Sequence, residues 1–327
     1  MSELESDHET KISSKLSTRF MYDRLVHFSK MRWVQFTWII VICIFLLCAV
    51  IQNIEAIKLI GLSGLRTLSL ALLASIIRKL CGGIRWGILV RLLGRGKDLS
   101  FRKSLKIYFI SCLSMYLPGT YWFIPGRIVM NAKHGINSLH TGVSIVLEQF
   151  LIVISGALMA IFSFQIAVDA LHIPIPAPML LVILIIAGII LTHPVTINRV
   201  TRLFATILKI EDFSASIKFT TNLLLLSGSV IVWLVSGLSL LLLVKAFVPS
   251  VAYTQIGSYT SVFAATFLVG YFTPFAPSGL GVREGALGIA LVMLGIPADL
   301  VVLIAALSRL LLVAEDLFWG AVSLVAL

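Results

Sequence analysis

Long apolar runs separated by short polar stretches dominate the chain, and none shows the period-two alternation of a half-buried strand. Runs of this kind cover 34–51, 60–77, 139–165, 178–196, 221–245 and 300–325. A helix crossing the roughly 30 Å hydrocarbon layer needs about 20 apolar residues, and only helices and closed barrels satisfy the backbone there. The pattern therefore predicts an all-α fold, a polytopic integral membrane helical bundle with about six full spans. A polar tail, residues 1–33, precedes a transmembrane domain, 34–327. That tail is mixed in charge and its first apolar run starts near Val34, so it reads as an uncleaved anchor and not as a removable leader.

Composition supports this picture. Hydrophobic residues make up 59% of the 327 positions and charged ones 13%, about half the share usual in soluble domains. The net charge is +11, with a pI near 9.7. In a chain this apolar, Lys and Arg mark cytoplasmic loops rather than a nucleic-acid surface. Lys11, Lys15, Arg19, Arg24, Lys30 and Arg32 accordingly place the N-terminus in the cytoplasm. The basic block from Arg78 to Lys106 reads as an amphipathic cytoplasmic extension of the second span, with Trp86 at the interface.

The loops also decide how segment 104–124 runs. A full crossing there would put Arg199, Arg202, Lys209 and Lys218 outside, and the Lys/Arg-free stretch 166–177 inside. If the segment enters and returns, every loop agrees, so it is read as re-entrant. Its turn carries Pro118-Gly119 and Pro125-Gly126, followed by Arg127. A helix does not continue through two such pairs, because proline removes a donor and glycine adds backbone freedom. A second break, 273–285, holds Pro274, Pro277, Gly279, Gly281, Arg283, Glu284 and Gly285. Its flanking arms, 257–272 and 286–296, suit a hairpin dipping into the membrane. The bundle is thus expected to contain two re-entrant, broken helical segments.

Interrupted segments in corresponding places of two halves point to a transporter-type site near the midplane. Each break carries an arginine and opens a following helix, whose free N–H groups and dipole favour anions. Arginine adds a planar fork suited to phosphate or carboxylate. Two readings stay open: the arginines hold a ligand, or they pair internally, Arg127 with Glu148 and Arg283 with Glu284. Arg309, Glu315 and Asp316 also lie in an apolar run, where ionisable groups face a cavity or a partner. Arg309 and Asp316, seven apart, share a helix face, while exposure at the helix end is the alternative for Glu315 and Asp316. The candidate binding set is Arg127, Glu148, Arg283, Glu284 and Arg309.

Other motifs carry little. Gly83/Gly87 and Gly281/Gly285 match GxxxG, which marks close helix packing more often than chemistry. Gly94-Arg95-Gly96-Lys97-Asp98 lacks the first glycine and the final Ser/Thr of a P-loop. There is no HExxH, GxSxG or CxxC, so no metal, cofactor or catalytic residue is assigned. Cys43, Cys48, Cys81 and Cys112 read as small buried hydrophobes.

At these residues the sequence resembles the transmembrane region of lysylphosphatidylglycerol synthase and related flippase-like membrane proteins. Pro277-Ser278-Gly279-Leu280-Gly281-Val282-Arg283-Glu284-Gly285 is similar to that family's P-G-G-L-G-x-R-E-G, with Ser278 in place of glycine. Arg85-Trp86 with Leu89 resembles its RW-x-x-L, and Tyr116-Leu117-Pro118-Gly119 through Gly126-Arg127 resembles a variant branch. Glu148 falls where the family places a glutamate, although Gln149 replaces the arginine that follows. The resemblance covers about 34–325 and implies a plasma-membrane domain that moves or handles lipids. With Leu327 directly after the last apolar run, the soluble synthase domain and its lysyltransferase activity are not expected.

The expected function is binding and translocation of an anionic phospholipid or a polyprenyl-phosphate-linked glycan. The alternative is a non-catalytic partner of a lipid synthase or glycosyltransferase, docked on the basic 78–106 surface. An intramembrane enzyme using Glu148 or Glu284 as acid/base ranks last, because no nucleophile or metal accompanies them.

Overall fold

A computed structural model describes residues 61–93, 99–116, 121–171, 193–207, 219–273 and 281–326, with single positions 44, 48, 51, 186, 190 and 279. The tail 1–33 and the apolar run 34–51 lie almost wholly outside the described residues, as does most of 178–196. Among the described residues nine α-helices follow in order: α1 (Leu62–Leu93), α2 (Phe101–Leu113), α3 (Phe123–Ala132), α4 (Ser138–Leu171), α5 (Pro194–Ile207), α6 (Phe219–Phe247), α7 (Ile256–Tyr271), α8 (Val282–Met293) and α9 (Ala298–Val325). Short 3-10 turns precede the first break, Ser114–Tyr116, and open α7, Tyr253–Gln255. No strand occurs among the described residues.

Among the described residues three helices have the length and apolarity of a membrane crossing: Leu62–Leu93, Ser138–Ile161 and Phe219–Phe247. Their outward faces are apolar too. Leu65, Leu70, Leu73 and Ile77 on α1 are exposed, as are Val302, Leu317 and Leu324 on α9. Apolar side chains on both inner and outer faces describe a helix whose solvent is lipid. The chain is an all-α, multi-pass membrane protein.

Inside, small residues bring backbones together and hydroxyls tie them, since lipid supplies no hydrophobic force between helices. A Cβ on Gly83 would sit 3.0 Å from the Phe109 ring, and one on Gly87 would sit 2.7 Å from Phe101. That pair therefore seats α2 on α1, as its spacing suggested. Gly281 and Gly285 do nothing similar: a Cβ on either meets no atom within 4 Å. Gly281 instead caps α8 in the left-handed region, at φ 82°. Across the bundle Ser239 donates to the Ala71 carbonyl at 2.8 Å, and Trp233 donates to Ser155 Oγ at 2.9 Å.

The two broken segments are helical hairpins. Arms α2 and α3 pack against each other, as do α7 and α8. At 1.5 Å per residue α2 reaches about 20 Å, α3 about 15 Å, α7 about 24 Å and α8 about 18 Å, all short of a 30 Å crossing. Closure of the second hairpin rests on glycine. Gly279 has φ 69°, and a Cβ there would stand 2.9 Å from the Gly270 Cα on the opposite arm. Gly279→Ala should therefore cost about 1–3 kcal/mol, through positive φ and a backbone clash together. A thermal-unfolding series in detergent, with Gly285→Ala as the open-space control, checks this.

The order of elements repeats. A long helix, a broken hairpin and a second long helix appear first as α1, α2–α3, α4 and again as α6, α7–α8, α9. Even the turns match. Gly135 (φ 76°) and Gly295 (φ 80°) each end the second arm, and the next residue, Ile136 or Ile296, donates to the carbonyl of Asn131 or Leu291. This is the Schellman helix end, in which a left-handed glycine frees two amides to satisfy the last carbonyls.

Candidate functional site

The first hairpin presents Arg127 from α3. Arg127 is 3% exposed. Nη1 forms an ion pair with Glu148 of α4, Nε donates to Ser111 Oγ at 2.9 Å, and Nη2 lies 3.9 Å from the Cys112 sulfur. Three rings complete the box, with the guanidinium carbon 4.4 Å from the Trp86 centroid, 4.6 Å from Tyr108 and 5.2 Å from Phe123. Cation–π contact is strongest where water is absent, so this arginine is held tightly. Glu148 has a second cation nearby, Arg85 of α1 at 3.8 Å, which also donates to Ser229 of α6 at 3.1 Å. One carboxylate thus links α1, α3 and α4.

The second hairpin presents Arg283 from the first turn of α8, and its surroundings are different. It is 7% exposed and rests on two rings, 4.8 Å from the Phe263 centroid and 5.5 Å from Phe267. Among the described residues it has no carboxylate and no hydrogen-bond acceptor. The internal pair with Glu284 does not form. Glu284 is committed elsewhere: Oε2 accepts from the Gly281 amide at 2.6 Å, capping α8, and Oε1 lies 3.7 Å from Arg309 of α9. Geometry explains this, because consecutive residues on a helix point about 100° apart and the cap draws Glu284 back toward its own N-terminus.

Arg309 therefore pairs with Glu284 and not with Asp316. Asp316 lies 2.5 Å from Lys79 and accepts from Tyr116 at 2.7 Å. Glu315 forms an ion pair with Arg78 and accepts from Ser75 at 2.6 Å. Neither acid is exposed at a helix end, Glu315 being 0% and Asp316 8% accessible. The adjacent cations Arg78-Lys79 on α1 thus meet the adjacent acids Glu315-Asp316 on α9. Nothing in a loop-charge rule exposes such a pairing. The signal was there nonetheless, as two like-charged dipeptides of opposite sign, each embedded in an apolar run.

The basic block 78–106 accordingly divides. Lys79, Arg85 and Trp86 are buried, Trp86 completely, so Trp86 does not mark an interface. Helix α1 continues through these residues to Leu93 because lipid-facing and core-facing side chains keep its period past the charges. Arg91, Arg102 and Lys103 remain exposed, while Arg95 and Lys97 lie outside the described residues. The cysteines divide as well: Cys112 is buried, Cys81 half-buried and Cys48 exposed, with Cys43 outside the described residues.

The buried charges, Glu284 excepted, border a space with two adjoining lobes. The lobe beside Arg127 and Glu148 has a cavity volume of about 130 Å³, and the lobe beside Arg283 and Arg309 one of about 110 Å³. Arg78, Lys79, Met115, Phe267 and Tyr271 line both. Tyr271 also joins the hairpins, since its ring meets Tyr121 edge-on at 6.5 Å and its hydroxyl donates to Gln149 at 3.0 Å. The residue at 149 is thus a hydrogen-bond acceptor here, where an arginine would add a further cation. Of the motif residues, Gly126, Gly279, Gly281 and Gly285 are described together with the first-break Pro125; Pro118, Gly119, Pro274 and Pro277 lie outside the described residues.

A family model described as the lysylphosphatidylglycerol synthase TM region matches residues 31–320. The chain belongs to this family. No curated protein matches it. In this member of the lysylphosphatidylglycerol synthase TM family, the described residues of the segment similar to P-G-G-L-G-x-R-E-G are Gly279 and the stretch that opens α8. Its glycines shape the turn, its Glu284 caps α8, and its Arg283 borders the cavity.

Proposed function

We propose that this protein binds the head group of an anionic lipid, a phospholipid or a polyprenyl-phosphate-linked glycan, in the two-lobed cavity and carries it across the membrane. The observation that carries the reading is Arg283, a buried guanidinium on the cavity wall that has, among the described residues, no carboxylate within ion-pair distance. A cation left uncompensated in low dielectric is costly, and such groups persist where they serve a ligand. Arg127, Glu148 and Arg85 then form the fixed frame of one lobe, while Glu284 and Arg309 hold the turn that presents Arg283. Broken hairpins flanking such a cavity are also the elements expected to rock in alternating access.

Reconstitution in liposomes containing a fluorescent anionic phospholipid tests the proposal. Wild-type protein should speed exchange of the probe between leaflets above the rate in protein-free vesicles. Arg283→Ala should return it to that background, and Arg283→Lys should keep part of it by retaining the charge without the fork. Equal exchange by wild type and Arg283→Ala would refute this assignment.

A further inference from the structure

Building on that reading, we propose that the head group this cavity takes carries two negative charges, as a phosphate monoester or a disubstituted pyrophosphate does, rather than the single charge of a phosphodiester. The argument is a charge balance among the described residues. Six cations border the two lobes: Arg78, Lys79, Arg85, Arg127, Arg283 and Arg309. Four carboxylates answer them. Glu315 pairs with Arg78, Asp316 with Lys79 and Glu284 with Arg309. Glu148 serves both Arg127 and Arg85. Three pairs are therefore balanced, the Glu148 group holds one positive charge in excess, and Arg283 holds another. The hairpin positions outside the described residues, 117–120, 274–278 and 280, contain no ionisable side chain that would alter the balance.

A ligand of charge −2 cancels this excess, whereas a monoanion leaves one buried cation unmatched. Phosphate monoesters carry about −1.5 to −2 charges at neutral pH, and their three oxygens suit guanidinium forks. The two excess charges stand in adjoining lobes that share Arg78 and Lys79, so a single ligand borders both. Phe267, Tyr271 and Met115 on the shared wall add apolar surface to the polar floor, which favours an amphiphile over a free phosphate ester.

Binding to purified full-length protein in neutral detergent, at pH 7.5 or thereabouts, separates the possibilities with three probes: dioctanoyl phosphatidate, dioctanoyl phosphatidylglycerol and glycerol 3-phosphate. Phosphatidate should bind about tenfold more tightly than phosphatidylglycerol, the scale of one further charge interaction in a partly buried site. Arg283→Gln should narrow that gap to within about threefold, chiefly by weakening phosphatidate, and Arg283→Lys should preserve it. Thermal melts of both variants establish that they are folded. Equal binding of the two lipids overturns the dianion inference and leaves the anionic-lipid reading standing. Binding of neither overturns both. Glycerol 3-phosphate binding as tightly as phosphatidate supports the charge balance and overturns the lipid as its source.

Discussion

Glu148→Ala should unfold the protein more readily than any other single substitution in the site, at a cost of about 3–5 kcal/mol. Glu148 is 1% exposed and holds Arg127 and Arg85, from two different helices, against a third. Removing it strands two buried guanidinium groups without a carboxylate. The penalty comes from those orphaned charges and not from the lost attraction as such. Glu148→Gln, which keeps the shape and one acceptor, should cost less. The cleanest check is a double-mutant cycle with Arg127→Met, because removing both partners relieves much of the penalty and so gives a large non-additive term. Thermal unfolding midpoints in one detergent, read by tryptophan fluorescence or by aggregation, provide the measurement. Additive losses would mean that Glu148 does not organise this lobe.

Arg283→Met should do the opposite to stability, while removing the proposed transport. Its guanidinium has two ring contacts and, among the described residues, no carboxylate within ion-pair distance, so methionine keeps much of the packing on Phe263 and Phe267 and deletes a buried cation. Release of that cation should raise stability by about 1–3 kcal/mol, against cation–π contacts that return part of it. Lipid exchange should meanwhile fall to the protein-free rate. A rise in unfolding midpoint joined to a loss of activity is the signature of a group kept for a ligand at the expense of the fold. If Arg283→Met lowers the midpoint as Glu148→Ala does, Arg283 is a structural residue like Arg127.

These opposite signs separate two arginines that look alike in the chain. Each follows a glycine-containing break, each opens a short helix, and each has a glutamate within reach by sequence or by family pattern. Three rings, a serine and Glu148 saturate Arg127. Arg283 faces the cavity because Glu284 is occupied by the helix cap and by Arg309. The difference lies in what the neighbouring helices bring, and no local pattern encodes that.

The sequence by itself determined the class of fold and the existence of both broken segments, and it pointed to Arg127, Glu148, Arg283, Glu284 and Arg309 as candidate binding residues. It did so because apolar run length and proline act locally: a chain in lipid must be helical, and proline is excluded from helix interiors. Proline is tolerated in a first turn, which is why α3 runs through Pro125-Gly126 instead of stopping there. Only the tertiary structure decided who pairs with whom. Ion pairing inside a bundle depends on which helix faces join, and α1 meets α9 through residues separated by more than two hundred positions. Arg78, Lys79 and Arg85 therefore looked like loop charges until α1 was seen to carry them inward, where desolvation makes a partner compulsory. Among the described residues, the one buried cation for which the bundle supplies no carboxylate within ion-pair distance is Arg283.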